Sequence, residues 1–248
     1  MGTSKSYSAT VKGQPQWGSL SRAVTTSCGG GTIPHSNLAN ILSHYVNVIG
    51  GANNAGRGGS RISGRGGIRN AKRIGAFLGA FAAGGGLREA LEEVGIKGLE
   101  GKSLEDIINQ LIEYCSGPSN TIDDVAAKTA SQKLFEELAE NAATPEEFEK
   151  QIKEAIEKDG IQEILIRYFS LYIFEHLSVM FYEKLVVDKG KTDCDDLFKQ
   201  IKDYIHEKLK AMNKTNPIEN IDWKGEAADR IVKNIQEDVL KVFENYGS

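Results

Sequence analysis

The sequence predicts an all-α protein, a helical bundle around one long apolar central helix, with a flexible Gly/Arg-rich N-terminal arm. The central helix is predicted at residues 161–187, which contain no glycine or proline and place apolar side chains on nearly every helical face. A helix that is apolar almost all round must be buried on most sides. The flanking segments repeat apolar residues at helical spacing, and no stretch alternates as a strand would.

The central run is too charged to be interpreted as a membrane span. A span needs about 20 mostly uncharged apolar residues, whereas Arg167, Glu175, His176 and Glu183 interrupt this one. The first 30 residues also contain no apolar segment typical of a secretory signal. We therefore expect no association with a membrane.

Three cysteines are far apart in the sequence, at Cys28, Cys115 and Cys194. Their odd number and wide spacing argue against a disulfide framework and against a compact zinc motif. A reducing cytoplasm is the simplest setting for such a chain.

Charge and glycine are distributed unevenly along the chain. Residues 1–88 contain ten Lys and Arg and no Asp or Glu, and residues 89–248 contain 20 basic and 34 acidic residues. Of the 27 glycines, 22 lie in residues 1–101. We therefore predict two regions. Residues 1–67 form a Gly-rich basic N-terminal arm with one short helix at about 36–49, and residues 68–248 form an acidic all-helical domain.

The predicted arm has one helical segment. Residues 1–35 carry few large apolar side chains to offset the entropy of ordering, so they are expected to be flexible, with Trp17 as a docking point. Ser36 can cap a helix with an apolar stripe, which Gly50-Gly51 ends. Residues 56–67 alternate Gly with Arg and Ser and are predicted to be a mobile low-complexity segment.

The rest of the chain is predicted to be helical with short connections. The first helix spans Ile68–Ala83, with Ile74, Phe77, Leu78 and Phe81 on one face, and Gly84-Gly85-Gly86 stops it. The further helices are predicted at 87–94, from Ser103 to Gly117-Pro118, at 121–141, from Thr144 to Asp159-Gly160, at 161–187, from Asp193 or Asp195 to Met212, and around 231–243.

No motif indicates an enzyme or a metal site. Gly98 to Ser103 looks like the end of a phosphate loop, but the position where that motif has its first glycine is Ile96. The four histidines lack metal-binding spacing, and His176 is interpreted as a hydrogen-bonded core histidine. We therefore predict no catalytic residue, no metal ligand and no cofactor of the chain's own.

A cluster of cations is a candidate anion-binding site. Arg side chains on an acid-free segment can contact phosphates. Aromatic residues that could stack bases are absent between Tyr45 and Phe77. Binding to nucleic acid and packing against the acidic helical body or a partner protein remain alternatives. The cations are Arg57, Arg61, Arg65, Arg69, Lys72 and Arg73.

The N-terminus is the sharpest feature. Met1 followed by Gly2 is expected to lose its methionine and expose a glycine amine. The pattern Met-Gly-x-x-x-Ser also fits N-myristoylation, which in a eukaryote gives weak anchoring. The small polar residues Thr3, Ser4 and Ser6 make the segment thin enough to enter another enzyme's active site. An ordinary disordered terminus is the alternative.

The layout of the whole chain resembles a known family. Gly2-Thr-Ser-Lys-Ser-Tyr7, the acid-free Gly-rich region, the basic stretch ending in Arg69-Asn-Ala-Lys-Arg73 and the acidic helical remainder are similar to the QatB family of the bacterial Qat anti-phage defence system. The resemblance implies no catalytic activity. It implies partnership with a QueC-like enzyme, QatC, and with an ATPase, QatA, and a TatD-like nuclease, QatD.

The resemblance also implies a role for the N-terminus. QueC-like enzymes act on 7-deazaguanine precursors using ATP, so both compounds would belong to the partner. Relatives in defence systems attach such a base to the N-terminal glycine of a partner protein, and by that analogy Gly2 would be the modified residue. The partner-binding residues would be Thr3, Ser4, Lys5, Ser6, Tyr7 and Trp17.

Overall fold

The computed structural model describes residues 15–60, 62–212 and 226–244. Within these ranges the chain is all-α and contains no strand, which confirms the predicted fold class. The elements are α1 (Pro15–Ser27), α2 (His35–Val48), α3 (Ala52–Gly56), α4 (Arg65–Ala80), a π-helical turn (Phe81–Gly85), α5 (Gly86–Glu93), α6 (Leu104–Ser116), α7 (Ile122–Leu138), α8 (Pro145–Lys189), α9 (Lys191–Met212) and α10 (Glu226–Glu244).

The predicted central helix is the second half of α8. The helix is interrupted at Gly160, where φ is 77° and ψ is 160°, so the predicted break at Asp159-Gly160 is present. By length and composition α8 could cross a membrane, but 72% of its most apolar window is buried inside the protein. This burial is what the core helix of a soluble protein requires, and α7 and α9 pack along it.

Three helices begin with a reciprocal cap. In each, a Ser or Thr side chain accepts a hydrogen bond from a backbone N–H three residues on, and the acidic residue there accepts one in return. Such caps stabilise a helix start by about 1 kcal/mol. The pairs are Ser103 with Asp106, Thr121 with Asp124 and Thr144 with Glu147.

The described part of the predicted arm lies in the same hydrophobic core as the rest of the protein. Residues 15–27, predicted to be flexible, form α1, because Leu20 and Val24 share one face and are buried against α2. The indole of Trp17 stacks on Phe181 of α8, with ring centroids 4.9 Å apart. The described part of the predicted arm therefore shares its core with residues 68–212 and 226–244.

Part of the Gly/Arg segment at 56–67 packs against other helices, whereas Arg57, Gly59 and Arg65 are exposed. Ser60 and Ser63 are buried. A Cβ added at Gly56 would lie 2.7 Å from Cα of Glu237, and one added at Gly67 would lie 2.9 Å from the ring of Tyr172. These two positions require glycine because α10 and α8 pass directly against the backbone there. Amino-acid composition alone does not show this close approach.

Candidate functional site

A cleft of about 390 Å³ lies between α4 and α10, beside the turn at Gly58. It brings together five of the six cations predicted as candidate anion-binding residues, and α10 adds Lys233. Arg61, the sixth predicted cation, lies outside the described residues. We call this surface the basic cleft, and its cations are Arg57, Arg65, Arg69, Lys72, Arg73 and Lys233.

Helix α4 places most of these cations through its periodicity. A helix turns about 100° and rises about 1.5 Å per residue, so residues three, four and seven apart share a face. The predicted apolar face is confirmed, because Ile74, Phe77 and Leu78 are fully buried. The opposite face carries four cations, Arg65, Arg69, Lys72 and Arg73, all of which line the cleft.

Three carboxylates offset part of the positive charge. Asp229 accepts hydrogen bonds from both Lys72 (2.9 Å) and Lys233 (2.7 Å). Hydrogen bonds from Lys233 and Lys72 lower the pKa of Asp229, so this carboxyl group is ionised at neutral pH. The other two pairs are Arg69 with Asp124 at 2.9 Å and Arg57 with Glu237 at 3.5 Å.

Two guanidinium groups have no carboxylate partner within the described residues. Arg65 Nε donates to the carbonyl of Gly58 at 3.1 Å. Arg73 Nη1 donates to the carbonyl of Tyr114 at 2.6 Å, and its guanidinium lies 5.7 Å from the centroid of that ring. Neutral acceptors orient these groups without cancelling their charge, so the basic cleft has a net positive field.

A buried polar cluster lies behind the basic cleft, at the start of α4. The carboxylate of Asp123 accepts from the backbone N–H groups of Gly64 (3.2 Å) and Gly66 (2.7 Å). It also accepts from the hydroxyl of Tyr172, which in turn lies 2.7 Å from Oγ of Ser63. We call these five residues the Asp123 cluster. Burial raises the pKa of Tyr172 well above its usual range, so its hydroxyl stays protonated and donates.

The Asp123 cluster supplies an acceptor from the same chain to the backbone N–H groups at the N-terminus of α4. Cations lie near this helix start, where positive charge opposes the macrodipole and an anion is favourable. The structure supplies a carboxylate from α7 at that position. Asp123 lies in the first turn of α7. The sequence does not predict its contact with α4, because no local pattern connects the two helices.

A family model described as QatB, Qat anti-phage system associated protein, matches residues 50–243, which is more than half of the chain. The chain belongs to the QatB family. No curated protein and no solved structure matches it.

Membership of the QatB family makes this chain a component of an anti-phage defence system. The family belongs to the multi-component Qat system. The part matched by the QatB model includes the basic cleft and the Asp123 cluster, and it does not include Trp17. Trp17, predicted to bind a partner, is partly buried and stacks on Phe181 in this structure.

The remaining site residues predicted in this QatB chain lie outside the described residues. They are Gly2, Thr3, Ser4, Lys5, Ser6 and Tyr7. Within the described ranges no group of three or more His, Cys, Asp or Glu could hold a metal ion. The three cysteines are buried and form no disulfide bond. The thiols of Cys28 and Cys194 are in hydrogen-bond contact, with their Sγ atoms 3.5 Å apart.

His176 of this QatB chain is a hydrogen-bonded core residue, as predicted. Its side chain is buried, with Nε2 3.0 Å from the carbonyl of Ile62 and Nδ1 3.2 Å from the hydroxyl of Tyr45. The carbonyl can only accept, so Nε2 carries the proton and Nδ1 accepts from Tyr45. Burial lowers the pKa of His176, which keeps the ring neutral.

We predict that the free energy of unfolding decreases in mild acid because His176 is protonated less readily in the folded protein than in the unfolded chain. The folded-state pKa of His176 lies below the ordinary value of 6.5, so the unfolded chain binds more protons as the pH falls. The contribution is fully present above about pH 6.5 and is lost progressively below it. Urea unfolding between about pH 7.5 and 5.5 should show a smaller loss of stability for His176→Gln than for the wild type.

The control for this experiment is His206→Gln, because His206 is exposed. That variant should keep the pH dependence of the wild type. An identical loss of stability in the wild type and in His176→Gln would contradict the assignment.

Proposed function

We propose that this QatB chain is a non-catalytic defence component whose N-terminal segment, beginning at Gly2, is bound and processed or modified by a QueC-like enzyme, QatC. On this proposal the partner uses ATP and a 7-deazaguanine precursor, and the chain supplies the acceptor amine. The helical body is a docking module that presents the segment, with QatA and QatD as further partners. The proposed setting is the bacterial cytoplasm.

The observation that carries the proposal is the sequence Gly2-Thr-Ser-Lys-Ser6 ahead of a packed body. A glycine amine is unhindered because the residue has no side chain, and it is nucleophilic when deprotonated. The neighbouring Thr and Ser residues are small and polar, so an enzyme pocket can surround the chain closely. The resemblance of this segment to its counterpart in the QatB family supports the interpretation of Gly2 as the acceptor.

The start of the packed body sets the reach of the segment. Trp17 and Leu20 are held against α8 and the core. Residues 2–14 precede the described part, and about 3.3 to 3.6 Å per residue limits their span to about 45 Å. That length allows Gly2 to reach an active site in an enzyme that is docked on the helical body.

We predict that Gly2→Ile abolishes both modification and defence. A bulky second residue prevents removal of Met1, so the acceptor amine would then belong to methionine. The measurement is the intact mass of the chain, expressed alone and with its neighbouring genes, followed by mapping of the N-terminal peptide. A gain in mass on the peptide that begins at Gly2 is expected for the wild type expressed with QatC, and neither for the wild type expressed alone nor for Gly2→Ile.

The matched control is Gly18→Ala in α1, which has open space around it and should keep both modification and phage resistance. Co-purification of QatC with Gly2→Ile separates docking from processing, because the helical body is unchanged in that variant. Full phage resistance with an unmodified N-terminus would overturn the proposal. Loss of N-terminal residues in place of a gain in mass would assign proteolysis as the processing step.

A further inference from the structure

We propose that the basic cleft binds the phosphate backbone of nucleic acid without reading the base sequence. The inference goes beyond the function proposed above, because it concerns α4 and α10 and not the N-terminal segment. Its starting point is that α4 and α10, which are far apart in sequence, bring five cations to one surface, where Arg57 from the turn after α3 adds a sixth.

The charge of the basic cleft exceeds what its own carboxylates offset. Three carboxylates pair with four of its six cations. Glu237 is also shared with a cation outside the cleft, because it lies 2.6 Å from Lys241 and 3.5 Å from Arg57. The side chain of Arg57 is 70% exposed. Arg57 and Arg65 therefore present accessible guanidinium groups, which form paired hydrogen bonds to phosphate.

The spacing of the cations suits a repeating anion. Arg65, Arg69 and Arg73 follow each other at four-residue intervals on α4, about 6 Å apart along the helix axis. Lys233 of α10 lines the same cleft, and Asp229 connects it to Lys72 of α4. A row of cations with a further cation in the same cleft can contact successive phosphates of one strand.

The lining favours phosphate over base. The basic cleft contains no aromatic residue among its described lining, and Ile68 is its one large apolar side chain there. Sites for small nucleotides are mostly apolar, and proteins that hold unstacked bases use aromatic platforms. Binding through phosphates alone supplies affinity without sequence information.

A substitution of Asp229 is expected to raise the affinity for nucleic acid. Its carboxylate holds both Lys72 and Lys233, so it competes with a phosphate for these two ammonium groups. Asp229→Asn removes one negative charge and leaves a side chain of the same size. This variant should bind nucleic acid several-fold more tightly than the wild type, which a purely structural role of Asp229 would not produce.

The experiment uses the full-length protein and fluorescence anisotropy of labelled DNA, as single strands and as duplexes of two unrelated sequences. Affinity should be equal for the two sequences. It should fall between about 50 and 200 mM KCl with a log–log slope near −3 if about three phosphates are neutralised. The double variant Arg65→Glu/Lys233→Glu should weaken binding about tenfold or more at low salt.

The matched control is Lys150→Glu/Lys199→Glu, which changes the net charge equally at exposed sites outside the basic cleft. It should bind much as the wild type does, and circular dichroism should show that every variant is folded. No binding at low salt, an equal loss in the control, or weaker binding by Asp229→Asn would overturn the proposal. Competition by a mononucleotide as effective as the oligonucleotide at equal phosphate would also overturn it.

Discussion

Replacing Asp123 with alanine is expected to lower the free energy of unfolding by about 3 to 5 kcal/mol. The carboxylate is buried and holds the N–H groups of Gly64 and Gly66 together with the hydroxyl of Tyr172. Alanine would leave the N–H of Gly66 buried without its acceptor and would remove one acceptor each from Gly64 and Tyr172. An unsatisfied buried donor costs about 1 to 3 kcal/mol. The variant should unfold at a much lower urea concentration than the wild type.

The control for Asp123→Ala is Asp203→Ala. Asp203 is 62% exposed and pairs with Lys199 at 3.1 Å on the surface of α9, and such pairs contribute about 0.2 to 1 kcal/mol. Equilibrium urea unfolding measures both changes with one method. A loss below about 1 kcal/mol for Asp123→Ala would show that water or a local rearrangement satisfies the donors.

Substitution of Gly64 by alanine should cost about 3 kcal/mol or more. Gly64 has φ of 106°, a conformation that L residues rarely adopt, and an added Cβ would lie 2.5 Å from the carbonyl oxygen of Ala55. The backbone must shift, and the shift disturbs the hydrogen bonds from Gly64 to Asp123 and Tyr172. Strain and lost hydrogen bonds therefore act in the same direction.

Gly18→Ala is the matched control for Gly64→Ala, because it makes the same change inside α1 where no atom lies within 4 Å of the added Cβ. Alanine in place of glycine in an open helix stabilises by about 0.5 to 1 kcal/mol. The two variants should therefore move the thermal unfolding midpoint in opposite directions. An unchanged midpoint for Gly64→Ala would contradict the geometry of this turn.

The fold class was predictable because its signals are local. The apolar run around Phe169 and Tyr172, the cap at Thr144 and the break at Gly160 each act within a few residues. Helix α1 was not predicted, because its polar and glycine content hides a stripe that only packing against α2 and Phe181 makes stable. Tertiary contact here overrides a weak local preference.

The basic cleft was half predictable. The periodicity of α4 placed Arg65, Arg69 and Arg73 on one face, but nothing in a helical stripe gives the register between two helices. Lys233 and Asp229 therefore could not be assigned to the same site from the sequence. Composition also does not distinguish a glycine with open space around it from one that another helix crowds, so the close approach of Glu237 to Gly56 could not be predicted.

The contacts of α2 and α3 with α10 join segments that leave the ribosome at different times. α2 and α3 pack against α10, and the contact between Arg57 and Glu237 spans 180 residues. At about 5 to 20 residues per second, roughly 10 to 35 seconds separate their emergence. During that interval the apolar faces of α2 and α3 lack their C-terminal partner, so chaperones that hold nascent chains have their longest opportunity at this end of the protein.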